Sequence, residues 1–227
     1  MGYDGARQLV VLFGGVDREG RALGDTWLWN GSDWIKSKLD GGPSARRGAS
    51  MAYDLADEDV VLFGGLAGNG RSAVAMNDTW VWSGTTWSQV RPRTRPRPRY
   101  ASAMAYDAAR KRIVLFGGIA ENPVNETWLW NGKTWTEMHA KTSPSPRSEP
   151  SMTYDRGRSA TVLYGGSAGI GPFDLRDTWE LKATAWARLD VASPKPSSLS
   201  ARMVFDARQG YLLLTVPARG LQTWVLR

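Results

Sequence analysis

The stretch Arg46-Arg47-Gly48-Ala49-Ser50-Met51-Ala52-Tyr53-Asp54 is followed by Val60-Val61-Leu62-Phe63-Gly64-Gly65, by Thr79-Trp80-Val81-Trp82 and by Trp87. A small and apolar segment, a continuous β-branched and aromatic run, an alternating Trp-Val-Trp segment and a final Trp, each bounded by turn residues, read as four short strands. The run over 60–63 is apolar on both sides, so the sheet that holds it needs cover on both faces.

Working outward, the same marks recur along the chain. Tyr53-Asp54 is matched by Tyr3-Asp4, Tyr106-Asp107, Tyr154-Asp155 and Phe205-Asp206, at intervals of 50, 53, 48 and 51 residues. A glycine pair stands eleven positions after each of the first four aromatics, at Gly14-Gly15, Gly64-Gly65, Gly117-Gly118 and Gly165-Gly166. Thr-Trp follows at Thr26-Trp27, Thr79-Trp80, Thr127-Trp128 and Thr178-Trp179, and seven residues beyond each Trp comes another, at Trp34, Trp87, Trp135 and Trp186. The outer two of the five units are incomplete. Met1 aligns with Met51, Met104, Met152 and Met203, and the last unit carries Val216-Pro217 in place of the glycine pair and reaches Trp224-Val225-Leu226-Arg227 before any fourth strand. Small four-stranded sheets stacked face to face around an axis supply the two-sided cover, which is the architecture of a β-propeller. The chain is expected to be a single propeller domain over 1–227, with blades near 1–39, 43–91, 96–140, 146–190 and 197–227.

These residues resemble the kelch repeat: an Arg-led first strand, an apolar second strand ending in Gly-Gly and a Trp-marked end, met here by Arg46, Tyr53, Gly64-Gly65, Trp80 and Trp87 and by their equivalents. The resemblance covers essentially the whole chain and implies an all-β, kelch-type β-propeller. The family more often has six or seven blades and closes its ring by sharing one blade between the termini. This chain shows no spare strand for that, so the reading is five blades of four antiparallel strands with an incomplete last blade. A piece of a longer protein and two copies completing each other both stay open, as do monomer and homodimer.

Composition narrows the chemistry. With no cysteine and one histidine in 227 residues, the chain is expected to fold without disulfides and lacks most donors of zinc, haem and copper sites, so no metal or cofactor is expected. No apolar run approaches the roughly 20 residues of a membrane span, and the opening Met-Gly-Tyr-Asp lacks the pattern of a secretion signal. Ala6 stands where a myristoylation signal wants Ser or Thr. The expectation is a soluble chain without membrane contact, its compartment unset.

Twelve tryptophans invite a sugar-binding reading, but all occupy recurring motif places and are expected to pack between blades. A partly exposed outer face stays open for Trp29, Trp82 and Trp130, because the fourth unit has Leu181 there. The glycine pairs lack a phosphate-loop context and are expected to let the chain bend. Asp25, Asp78, Glu126 and Asp177 precede each Thr-Trp and read as turn or strand-end hydrogen bonders, and His139 as an exposed loop residue. No catalytic residue is assigned.

Charge sorts by position. On the short, uniform turns nine basic residues meet nine acids, whereas the linkers between units carry fourteen basic residues against Asp40, Glu137, Glu149 and Asp190. The formal net charge of +7 therefore sits on the side of the long, variable loops, the kind of surface that usually binds. Its densest part is Arg91-Pro92-Arg93-Thr94-Arg95-Pro96-Arg97-Pro98-Arg99, where proline favours an extended strip with guanidinium groups held outward. Arg46, Arg99 and Arg147 each stand seven residues before the motif tyrosine and are expected to be built into the repeat.

The candidate binding set is Arg46, Arg47, Arg71, Arg91, Arg93, Arg95, Arg97, Arg99 and Arg147. The kelch resemblance commonly implies a non-catalytic binding module, here for an acidic protein, an acidic peptide or a small anionic ligand, with polyanion binding through the strip also open. The alternative is an enzyme acting on a small acidic or carbohydrate substrate in the central channel, with Arg71, Glu121, Glu149 and Arg176 available in the loops. Copper radical oxidases of similar repeat type need a Tyr-Cys link and histidine ligands, which this composition excludes.

Overall fold

The computed structural model describes residues 1–39, 41–169, 174–191, 201–218 and 220–226. Asp40 and Lys195, which entered the linker charge above, lie outside them, as does part of the loop after the fourth glycine pair. Sheet 1 comprises Gly2–Asp4, Leu9–Val16, Ala22–Trp29 and Trp34–Lys36. Sheet 2 comprises Ser50–Asp54, Asp59–Phe63, Thr79–Trp82 and Trp87–Val90, and sheet 3 Ala103–Asp107, Arg112–Phe116, Thr127–Trp130 and Trp135–Met138. Sheet 4 comprises Ser151–Asp155, Ala160–Tyr164, Thr178–Lys182 and Ala185–Leu189. Sheet 5 has three strands, Arg202–Asp206, Tyr211–Ala218 and Gly220–Leu226. Each of these five sheets is an antiparallel meander in sequence order, a sixth small sheet joins Arg46–Arg47, Leu66–Ala67 and Val74–Ala75 beside sheet 2, and the helical structure among the described residues is a single 3-10 turn at Gly70–Ser72. The fold is thus all-β and propeller-type.

The first strands stand side by side around a channel, and an apolar cluster fills each contact from sheet 1 to sheet 2, sheet 2 to sheet 3, sheet 3 to sheet 4 and sheet 4 to sheet 5. Ala52, Val61 and Phe63 of sheet 2 pack with Met104, Ile113, Leu115 and Trp135 of sheet 3, for example. The buried second strands are what the continuous apolar runs require: Val60, Leu62, Ile113, Val114, Leu115, Phe116, Val162 and Leu163 are fully covered.

In sheets 2, 3 and 4 one tryptophan pins the sheet to the one before. The indole N–H of Trp87 donates to Thr26 Oγ1 at 3.0 Å, that of Trp135 to Thr79 Oγ1 at 2.9 Å and that of Trp186 to Thr127 Oγ1 at 3.0 Å. The same rings meet Phe13, Phe63 and Phe116 edge-on at centroid distances of 5.5, 5.3 and 5.2 Å.

Two expectations for the tryptophans need correction. Trp82 and Trp130 are not on an exposed outer face: they are 1% and 0% exposed, and Leu181 is equally buried, because each stacks on the pinning tryptophan or its equivalent inside the interface. Trp34 and Trp224, expected to pack between blades, are 43% and 41% exposed. Trp34 has the pinning position in sheet 1, but among the described residues no threonine of another sheet accepts its indole, and it leans on Trp29 of its own sheet at 5.5 Å.

The glycine pairs bend the chain, and the reason for glycine is close approach. Gly64 sits at φ +63, and a Cβ there would lie 2.5 Å from the carbonyl oxygen of Arg99 in the next unit. Gly64→Ala is therefore expected to cost about 2 kcal/mol or more, since the left-handed backbone alone costs roughly 1–2 kcal/mol for an L residue. Thermal denaturation of the variant measures it. Where Val216-Pro217 replaces the pair, the strand continues to Ala218 and pairs along its length with Gly220–Leu226.

Candidate functional site

The loops that follow the glycine pairs and the linkers between units meet in a recurring clamp. The Arg46 guanidinium donates to Asp78 Oδ1 at 2.6 Å and Oδ2 at 2.9 Å and to the Gly64 carbonyl at 2.9 Å. Arg147 repeats this with Asp177 at 2.6 and 3.0 Å and with the Gly165 carbonyl at 3.0 Å, and Arg99 does so with Glu126 and the Gly117 carbonyl. Each acid also accepts the indole N–H two residues on, from Trp80, Trp128 and Trp179 at 2.7, 3.1 and 2.7 Å. In sheet 1, Asp25 holds Trp27 and takes Lys36 at 3.3 Å. The recurring acids are thus the counter-ions of the repeat arginines as well as hydrogen-bond acceptors. Burial alone raises the Glu126 carboxyl, and the hydrogen bonds from Arg99 and Trp128 more than reverse it, holding its pKa at about 2 against an ordinary 4.5. Asp78 and Asp177 are lowered in the same way, burial being outweighed by their arginine and indole donors.

This burial corrects the candidate binding set. Arg46, Arg99 and Arg147 are 1%, 0% and 0% exposed and have their guanidinium donors engaged inside the fold, so they present nothing to a partner. Arg71, Arg91, Arg93, Arg95 and Arg97 are exposed and Arg47 is half-buried. In the proline-rich strip Pro92 and Pro96 are buried while the four arginines around them stand out. Arg97 is nevertheless tied, donating to Glu126 at 2.5 Å, and Arg91 leans on Gln89 at 3.1 Å. Arg47, Arg71, Arg91, Arg93 and Arg95 form no salt bridge among the described residues.

The channel has two vestibules separated by a methionine girdle. Met1, Met51, Met104, Met152 and Met203 line both. The vestibule toward the linkers holds about 320 Å³ and is otherwise lined by small residues with Glu149 and Arg202. The vestibule toward the short turns holds about 860 Å³ and carries the ring Tyr3, Tyr53, Tyr106, Tyr154 and Phe205. Of the loop residues considered for channel chemistry, Glu149 reaches the linker-side mouth without Arg71, Glu121 or Arg176 beside it, and Arg176 is bonded to Asp174 at 3.3 Å. His139 is exposed, and the described residues contain no cluster of three or more His, Cys, Asp or Glu able to hold a metal ion. No described helix is long and apolar enough to cross a membrane.

Comparison with known proteins meets this geometry. No family model matches the chain. An F-box/kelch-repeat protein of Arabidopsis thaliana is 34% identical over 125 residues, 49% of this chain and 25% of that protein. Kelch domain-containing protein 1 of Mus musculus is 29% identical over 102 residues, 43% of this chain and 23% of that protein. The chain is thus similar to kelch-repeat proteins over nearly half of its length. The chain spans about a quarter of the length of these curated relatives. The kelch marks, an arginine leading the first strand, a glycine pair and a tryptophan, come together physically: Arg99 grips Glu126 and the Gly117 carbonyl, and its own carbonyl accepts the Gly65 N–H at 2.9 Å from the preceding unit. The kelch pattern said nothing of the aromatic vestibule. Its signal in the sequence is the residue two places after each methionine, and it becomes legible only once the first strands are known to line the channel.

Proposed function

We propose that this kelch propeller is a non-catalytic binding scaffold whose linker side takes an acidic segment of a partner protein. The observation that carries the reading is the division of labour among the arginines: Arg46, Arg99 and Arg147 are consumed by buried acids, whereas Arg91, Arg93 and Arg95 stand exposed without an ion-pair partner among the described residues, on a backbone anchored by Pro92 and Pro96. Guanidinium groups fixed on a stiff strip lose little entropy on gripping carboxylates, which favours an acidic peptide as the ligand. The similarity to two kelch-repeat proteins supports a binding scaffold.

The test uses a fluorescent oligo-glutamate peptide. Its affinity should fall steeply with added salt, because exposed charges are screened within about 8–10 Å at physiological ionic strength. Replacing Arg91, Arg93 and Arg95 together with Ser should weaken binding at least about tenfold while leaving the melting temperature unchanged, since exposed side chains contribute within about 0.5 kcal/mol to stability. Arg97 is left intact because of its bond to Glu126. A salt-insensitive affinity, or a triple variant that binds like the parent, overturns the reading. Heparin binding in place of peptide binding would transfer the strip to polyanions.

A further inference from the structure

The short-turn vestibule departs from the repeat at two places. Two residues after the motif aromatic stand Gly5, Leu55, Ala108, Arg156 and Ala207, and immediately before the girdle methionine stand Ser50, Ala103, Ser151 and Arg202. Both registers are neutral except at Arg156 and Arg202, which belong to adjacent units. Among the described residues these two are the only charged side chains lining the vestibule, and no carboxylate shares it. Both are exposed and neither enters an ion pair among the described residues; a hydrogen bond from Arg202 goes to the carbonyl of Ala201 at 2.8 Å. Three other arginines of the short turns are committed, Arg7 to Asp4 at 3.0 Å, Arg158 to Asp155 at 2.7 Å and Arg110 to Asp107, while Arg112 donates to the Lys111 carbonyl and, like Arg208, does not line the vestibule. Position within a regular repeat thus does not explain Arg156 and Arg202, and a ligand would.

The remaining wall indicates what that ligand is. Four tyrosines and Phe205 ring the vestibule above a floor of thioethers, a surface that suits flat aromatic bodies through ring packing and sulfur–aromatic contact. The volume of about 860 Å³ lies within the range of small-molecule sites. Arg202 stands at the level of the floor. Arg156 stands at the rim, five strand positions further on, or roughly 17 Å at the rise of an extended strand. Two extended arginine side chains and a two-ring body between them cover such a span.

We propose that the short-turn vestibule is a binding site for a small aromatic anion, with its ring system among Tyr53, Tyr106 and Tyr154 and its acidic groups gripped by Arg202 at the floor and Arg156 at the rim. The site lies on the opposite mouth from the arginine strip and does not depend on it.

Calorimetric titration with 2,6-naphthalenedicarboxylate, 2-naphthoate and neutral 2-naphthol tests this. The dicarboxylate should bind tightest and the naphthol weakest. Arg156→Ala and Arg202→Ser introduce residues that the repeat itself uses at those registers, so both variants should fold with unchanged melting temperatures. Each should weaken the dicarboxylate about tenfold or more, as expected for loss of a charge-assisted contact, and together they should bring it down to the level of naphthol. Arg91, Arg93 and Arg95 replaced with Ser should leave all three affinities unchanged. Equal binding of the three probes, no binding at millimolar concentration, or a dicarboxylate affinity that survives the double variant or falls with the strip variant each overturns the proposal. None of these results bears on the oligo-glutamate peptide.

Discussion

Trp135→Ala is expected to destabilise the protein by about 3–5 kcal/mol, the usual cost of emptying a large aromatic from a sealed core, whereas Trp34→Ala at the equivalent register is expected to cost about 1 kcal/mol or less. The two residues have the same place in the repeat and the same tilted neighbour, Trp130 for one and Trp29 for the other, at 5.2 and 5.5 Å. What differs is the preceding sheet. Trp135 is 1% exposed, with Phe63 edge-on at 5.3 Å and Thr79 Oγ1 accepting its indole N–H, while Trp34 is 43% exposed. Trp135→Phe separates the contributions: it keeps most of the ring and removes the N–H, leaving Thr79 without its donor, and should cost about 1–2 kcal/mol. Urea denaturation of the three variants measures all of this. Equal losses for Trp135→Ala and Trp34→Ala would mean that the tryptophans act within sheets and not between them.

This contrast also shows how far the sequence could be read. Repetition made the strands, the bends and the pinning tryptophans legible, because a residue that returns at the same spacing in several units must serve the unit. It also marked Arg46, Arg99 and Arg147 as parts of the repeat from their fixed lead over the tyrosine. It did not identify their partners. Arg46 and Asp78 are 32 residues apart, joined only because the loop after the glycine pair returns over the linker, and loop course is not periodic. Exposure of Trp34 and burial of Trp82 and Trp130 likewise depend on which neighbouring sheet is present, a tertiary fact with no local signature. The tie between Arg97 and Glu126 removes one member of the strip that composition had counted as free. The channel wall was hidden for a simpler reason: alternation along a strand sorts residues into two sets without saying which faces the axis.

Breaking the buried clamp is expected to be as costly as emptying the tryptophan socket. Asp78→Ala leaves the Arg46 guanidinium, 1% exposed, without the two oxygens it contacts at 2.6 and 2.9 Å, and deprives the Trp80 indole of its acceptor. A buried charge stripped of its partner typically costs about 3–5 kcal/mol. Arg46→Met combined with Asp78→Leu should cost less than the sum of the two single changes by about 1–3 kcal/mol, since neither charge is then stranded. The same clamp sets the response to acid. Glu126 has a folded pKa of about 2 against an ordinary 4.5, so its contribution to stability is fully present above pH 4.5 and is lost as the pH falls through about 2. Asp78 and Asp177, lowered in the same direction, add to the loss. Glu126→Gln removes the ionisation and should be less stable than the parent by a constant margin at neutral pH, a margin that narrows as the pH drops below 4.5 and the parent carboxylate takes up its proton. A margin that stays constant down to pH 2 would mean that Arg99 is not what holds this carboxylate ionised.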